Sequence, residues 1–305
     1  MREPRSHYFE SNHLRLHYLR WAEDDSKPAL ILLHGGQDHA HSWDFVAELL
    51  LDRFSLYGLD LRGHGDSDWS TGAAYGLADH VLDLATLVRK IGRPVALIGH
   101  SLGGEYALEF ALTMPDSVSK VVSIEGIPPR FRHAFTPLEN SILDFIQSSW
   151  RISGNEVRTY SSMEEAAERL RKGVAIGPNI LLHRNLENEV VLHLARHGLR
   201  LNKKGSYSWK FDNLTRLHGP CRVNVDQSQT SSAPVLLVCG SKSTHLQAEI
   251  IRQVANDSDN PDIRLMSSAL SNVQVEEVEN AGHWVHHDQQ DKFLALVGKF
   301  LDGAA

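Results

Sequence analysis

The chain has 305 residues, 42% of them apolar, and a formal charge of −7, which fits one large α/β domain carrying an insertion and a sizeable core. Acidic and basic residues are dispersed, with no run of Lys and Arg to grip phosphates, so a nucleic-acid partner is not expected. No apolar stretch is long enough for membrane insertion and Met1–Glu10 lacks the apolar core of an export signal, leaving a cytoplasmic setting as the default expectation.

In chain order, His7 to Arg20 alternates apolar and polar residues around a turn at Ser11-Asn12, predicting an antiparallel hairpin at a sheet edge. Short β-rich apolar runs follow at 29–34, 54–60, 94–100, 118–126, 234–240 and 273–280. Most lack alternation, as parallel strands covered on both faces do. Helical spacing is expected at 43–51, 76–91, 102–114, 245–255 and 288–301. The alternation of strand and helix predicts a mostly parallel sheet with helices on both faces. After Gly126 the rhythm breaks. From Pro128 to Ser232 the chain reads as helical and polar, without a convincing strand, its amphipathic segments lying at 137–150, 162–173 and 188–199. We read residues 128–232 as a helical cap inserted into a core domain of residues 1–127 and 233–305.

Chemistry concentrates at three places. Gly99-His100-Ser101-Leu102-Gly103 follows an apolar strand and opens a helix, the context of a nucleophile elbow. A serine on a strained turn needs small neighbours, and the helix N-terminus beneath it favours developing negative charge. His34-Gly35-Gly36 ends an earlier strand, where a backbone N–H can be aimed at an oxyanion. Gly36 is the candidate donor, with the N–H of Leu102 as its partner. Gly282-His283-Trp284 comes after the last strand, where a general base must stand. His286 and His287, at the next helix start, are expected to be solvated.

Together these motifs resemble the α/β-hydrolase superfamily, as does Asp60-Leu61-Arg62-Gly63-His64-Gly65-Asp66-Ser67. The resemblance covers nearly the whole chain. It implies the α/β-hydrolase fold, an eight-stranded mostly parallel sheet with helices on both faces and a helical cap inserted after strand six. It also implies that the 60–67 loop serves mainly to bridge loops around the site. Serine at the elbow resembles esterases and C–C bond hydrolases rather than the aspartate-bearing dehalogenases and epoxide hydrolases.

One departure matters. Most members of the family it resembles carry the triad acid after the seventh strand, in a pattern such as G-x-x-D, and some carry it at the end of the sixth, yet here the stretch after the seventh reads Cys239-Gly240-Ser241-Lys242-Ser243-Thr244-His245. An imidazole without an acid partner loses its enforced tautomer. Glu125, ending the sixth strand, is the candidate substitute, because neighbouring strands lie only about 4.8 Å apart. Asp226, ahead of the seventh strand, and Glu249, along the following helix, are its rivals.

The expected activity is therefore that of a cofactor-independent serine hydrolase acting on a small to medium carboxylic ester. Ser101 would be the nucleophile, His283 the base, Glu125 the acid, and Gly36 and Leu102 the oxyanion donors. A C–C bond hydrolase or perhydrolase on the same site, or a decayed ligand-binding protein, are the alternatives. No metal is expected: Asp38-His39-Ala40-His41 offers ligands, but no second ligand group stands out. Cys221 and Cys239 make no disulfide framework, and Cys239 reads as a core residue. Trp150, Trp209, Phe131, Phe135 and Phe145 would either line a pocket or fill the cap's core. The oligomeric state is left open, a homodimer included.

Overall fold

The computed structural model describes residues 2–131, 138–153, 158–171, 174–175, 181–182, 188–217, 230–256, 260–270 and 272–303. A single sheet collects the strands β1 (Arg5–Ser11), β2 (Leu14–Arg20), β3 (Ala29–Leu33), β4 (Ser55–Leu59), β5 (Val95–His100), β6 (Val118–Ile124), β7 (Val235–Gly240) and β8 (Val273–Val278). Their order is β1-β2-β4-β3-β5-β6-β7-β8. The pairs β1–β2 and β2–β4 are antiparallel, and every other pair is parallel. This is the α/β-hydrolase sheet.

Every residue of β3, β4, β5 and β7 is buried, which explains why those runs lack alternation. Alternate residues point to opposite faces and feed separate cores. Ile31, Leu33, Leu97, Val121 and Leu237 pack on one face with Leu84, Leu87, Phe110 and Ile251. Leu30, Leu32, Ile98, Val122 and Leu236 pack on the other with Trp43, Val46, Phe293 and Val297. The helices supplying those partners include α1 (Leu77–Ile91) and α2 (Leu102–Thr113). Beyond β6 come α3 (Leu138–Ser153), α4 (Met163–Arg171) and α5 (Asn188–Gly198), and beyond β7 come α6 (Leu246–Ala255), α7 (Pro261–Ala269) and α8 (Gln290–Leu301).

Several boundaries differ from expectation. The hairpin turn is Asn12-His13, both with positive φ (47° and 64°), because Ser11 still pairs with Leu14. The helix expected at 43–51 contracts to a 3-10 turn, Ala40–Trp43, and a single α turn, Asp44–Ala47. Past it, Leu49, Leu50 and Arg53 each bond three residues back, too tightly for a continuing α-helix. The final helix begins at Gln290, after a short turn at Val285–Asp288, because Gln289 leaves the helical region at φ −140° and ψ 58°. The region between β6 and β7 is not free of strands. Leu199–Leu201 pairs with Tyr207–Trp209, and Val174–Ala175 with Leu181–Leu182. Runs of two or three residues are too short to leave a periodic signal. Among the described residues no helix is long and apolar enough to cross a membrane.

Candidate active site

Ser101 lies between β5 and α2 with φ 49° and ψ −115°. That left-handed backbone costs a non-glycine residue on the order of 1–3 kcal/mol, so its surroundings must impose it. Its N–H donates to the Ile124 carbonyl at 2.7 Å, and its own carbonyl accepts from Glu105 N–H at 3.0 Å, opening the helix. Close backbone approach explains the flanking glycines. A Cβ on Gly99 would stand 2.3 Å from the Gly103 carbonyl oxygen, and one on Gly103 would stand 2.4 Å from that of Leu33.

The glycines after β3 press against this turn. A Cβ on Gly35 would come within 2.7 Å of His100 Nδ1 and 3.4 Å of Ser101 Cβ, while one on Gly36 would lie 3.8 Å from Leu102 Cδ2. The buried His34 ring braces the loop: its Nδ1 donates to the Gly35 carbonyl at 2.7 Å, and its Nε2 accepts from Leu61 N–H at 3.0 Å.

His283 reaches the same edge from the far side of the sheet. The ring of His100, one residue before Ser101, lies 4.6 Å from the His283 ring, and His100 Nε2 donates to the His283 carbonyl at 3.0 Å. The His283 side chain is only 5% exposed.

Glu125, immediately after β6, also holds a positive φ of 47° and is wholly buried. Its N–H donates to the Val238 carbonyl at 2.9 Å, pinning it to β7. The carboxylate has three donors. Gly240 N–H reaches Oε1 at 2.9 Å, and the Ser243 hydroxyl and His283 Nδ1 reach Oε2 at 2.7 and 2.6 Å. A buried charge is tolerable only when its lone pairs are occupied in this way. With Nδ1–H committed to a carboxylate, the imidazole's Nε2 carries the lone pair that accepts a proton.

The other carboxylates considered do not join this group. Glu249 sits on α6, its side chain 59% exposed and paired with Arg252 at 3.7 Å. Asp226 lies outside the described residues. Two contributors went unassigned in the sequence reading. Ser243, three residues after Gly240, stands where G-x-x-D would put its carboxylate, so register alone could have singled it out. His245, whose ring is 4.5 Å from that of His283, carried no such signal.

The 60–67 loop ties the site's loops together. Buried Asp60 accepts from His17 Nδ1 at 2.7 Å, Ala40 N–H at 2.6 Å and Asp66 N–H at 2.9 Å. Burial opposes its ionisation, but the His17 hydrogen bond and the charges around it prevail and hold the carboxyl well below the usual carboxylate range. Arg62 clasps Asp83 through Nε and Nη2 at 2.6 and 2.7 Å.

The expectation of solvated histidines at 286 and 287 is corrected. His286 is buried and stacks on Trp43 at 4.5 Å, and His287 Nε2 donates to the Ser42 carbonyl at 2.9 Å. The chain turns at Val285–Asp288 before α8, rolling these rings inward. The aromatic residues considered for the cap divide. Phe131 is buried in the main core and Trp209 packs on a small cluster around Val191 and Ala195, whereas Trp150 is 75% exposed. Phe145 is exposed too, and Phe135 lies outside the described residues. The premise that His41 lacks fellow ligands also fails, since α5 brings His193 and His197 beside His41 and Asp44.

Comparison with known proteins agrees with this architecture. Residues 30–296 match the model of the alpha/beta hydrolase family. The chain is similar to a mouse sn-1-specific diacylglycerol lipase, with 27% identity over 283 residues, covering 91% of this chain and 82% of the relative. It is similar to a Mycobacterium tuberculosis esterase, with 27% identity over 286 residues covering 93% of this chain and 85% of the relative. That esterase's solved structure superposes with a TM-score of 0.71 at 24% identity, covering 98% of this chain and 92% of the other. An N-formylmaleamate deformylase of Pseudomonas putida is 27% identical over 301 residues, covering 96% of this chain and 94% of the relative.

Proposed function

The chain belongs to the α/β hydrolase family, and from that premise we propose that it is a serine hydrolase cleaving a small to medium carboxylic ester through an acyl-enzyme. Ser101 Oγ attacks the carbonyl carbon while His283 Nε2 takes its proton. Glu125 holds the His283 tautomer and stabilises the imidazolium as it forms. The N–H groups of Gly36 and Leu102 receive the oxyanion, aided by the N-terminus of α2. His283 then protonates the leaving alkoxide, and water, deprotonated by the same imidazole, releases the acid.

The observation that carries this reading is the 2.6 Å contact between Glu125 Oε2 and His283 Nδ1, buried beside a strained serine turn. It supports a competent site over a decayed one, despite the missing carboxylate after β7. Residues 128–232 act as the cap in this proposal. In support, the segment touches the loops around the site. His39 Nε2 donates to the Leu194 carbonyl at 2.9 Å, Arg216 reaches Gln37 at 2.8 Å and Lys210 reaches Asp66 at 2.7 Å.

A fluorophosphonate probe tests the nucleophile directly. We expect one label per chain, mapped to Ser101, and a loss of about 10^5-fold or more in ester turnover for Ser101→Ala. An inert Ser101 in folded protein overturns the proposal. The name of the deformylase relative favours including an amide assay alongside esters, and the C–C hydrolase and perhydrolase alternatives add β-diketone and peroxide assays. Faster turnover on one of those would retain the nucleophile and replace the ester.

A further inference from the structure

Away from the strained turn, ligand-type side chains meet where α5 leans on the core. His41 and Asp44 come from the loop and short helix after β3, and His193 and His197 from α5. The α5 pair is four residues apart and so shares one helix face. One donor atom from each of the four lies within 4.8 Å of those of all the others. Asp44 Oδ2 accepts from His41 Nδ1 and from His193 Nε2, each at 2.9 Å. Trp21 Nε1–H donates to Oδ1 at 2.8 Å, fixing the carboxylate so that its second oxygen faces the rings. His41 stacks on His197 at 3.8 Å, and the rings of His193 and His197 are 4.6 Å apart.

We propose that these side chains form a His3Asp binding site for a divalent transition-metal ion, zinc or a close congener, which clamps α5 to the loop behind β3. Imidazole with one carboxylate is a donor set that zinc, copper and nickel accept. In a tetrahedral zinc site, bonds of about 2.0–2.1 Å put donor atoms about 3.4 Å apart. The two 2.9 Å contacts to Asp44 already lie near that spacing; the wider pairs, within 4.8 Å, need to close by up to about 1.4 Å, with the stacked His41 and His197 rings turning so that a nitrogen of each aims at the ion. On binding, the ion occupies the place of the two N–H groups now directed at Asp44. Each neutral ring keeps its one proton, moved to its other nitrogen. Trp21 then serves as the outer partner that orients the liganding carboxylate. The site uses none of the residues assigned to catalysis and stands or falls separately from that assignment.

The test is a titration of the full-length protein, freed of metal by a chelator, with cobalt(II) followed by visible absorption. We expect one equivalent per chain to give the intense bands of four-coordinate cobalt, and zinc to bleach them. His197→Ala and His41→Gln should each weaken cobalt binding by at least about 10- to 100-fold, the loss that removal of even an outer-shell partner brings. Because donor atoms of Glu125, His245 and His283 also lie within 4.8 Å of one another, His283→Ala serves as the control and should keep the bands. No four-coordinate spectrum in the wild type overturns the proposal. So does full binding by whichever of the His197 and His41 variants is folded by circular dichroism, or loss of the bands in His283→Ala.

Discussion

The carboxyl ends of β6 and β7 run side by side, joined by parallel pairing from Val121–Val235 to Ile124–Val238, yet they carry different chemistry. At the end of β6 stands Glu125, in a left-handed backbone conformation and with its carboxylate fully engaged. At the end of β7 stand Gly240 and Ser243, which supply an N–H and a hydroxyl to that same carboxylate. One strand end carries the charge and the other solvates it. If Glu125 is the acid, as proposed, adjacent strands should be able to exchange those duties, because the same histidine lies within reach of both. On that proposal a catalytic acid is specified by where its oxygen stands, and the strand that carries it is a secondary matter.

The sharpest way to break this comparison is Glu125→Gln. It preserves size while removing the charge and the enforced His283 tautomer, so kcat should fall by about 10^3- to 10^4-fold with the circular dichroism spectrum intact. A fall of less than about tenfold would mean that the acid lies elsewhere. A second test moves the charge across: Glu125→Gln combined with Ser243→Asp should recover at least about tenfold of that loss, equivalent to about 1.4 kcal/mol. Ser243→Asp alone should be impaired, because it sets one buried carboxylate against another. If the double variant is no better than Glu125→Gln, the two strand ends are not interchangeable.

Smaller still is Ser243→Ala, which removes one hydrogen bond to a charged group. Loss of about 1.5 kcal/mol would lower turnover by about tenfold, with KM little changed. An unchanged kcat would show that Gly240 and His283 satisfy the carboxylate by themselves. The smallest effect is expected at Cys239, inside β7 next to Gly240. Burial pushes its thiol up to about 12, so the nucleophilic thiolate is scarce at pH 8. Iodoacetamide at that pH should leave both Cys239, mapped by mass spectrometry, and ester turnover unaltered. Modification of Cys239 with loss of activity would show that this end of β7 is open to solvent.

Much of the molecule was legible in the sequence because its signals are local. Unbroken apolar runs announced β3, β5 and β7, since burial on both faces removes alternation. The elbow was readable because backbone collisions at Gly99 and Gly103 leave no alternative to glycine. The helix at 43–51 was overread, since apolar spacing continues where the hydrogen bonds tighten to a three-residue step. The rings of His286 and His287 looked exposed because nothing local reveals the turn that rolls them inward.

By itself the sequence determined the order of the strands' apolar runs, the strained serine turn and the absence of a carboxylate after β7. The sequence named Glu125 among rival partners for His283, and tertiary structure decided which distant groups meet: Glu125 with His283 across 158 positions, and, without any warning in the sequence, His41 and Asp44 with His193 and His197. The physical reason is range. Backbone sterics and burial act over a few residues and leave a pattern in the chain, whereas a hydrogen bond between side chains far apart in sequence exists only once the sheet has brought their strands together.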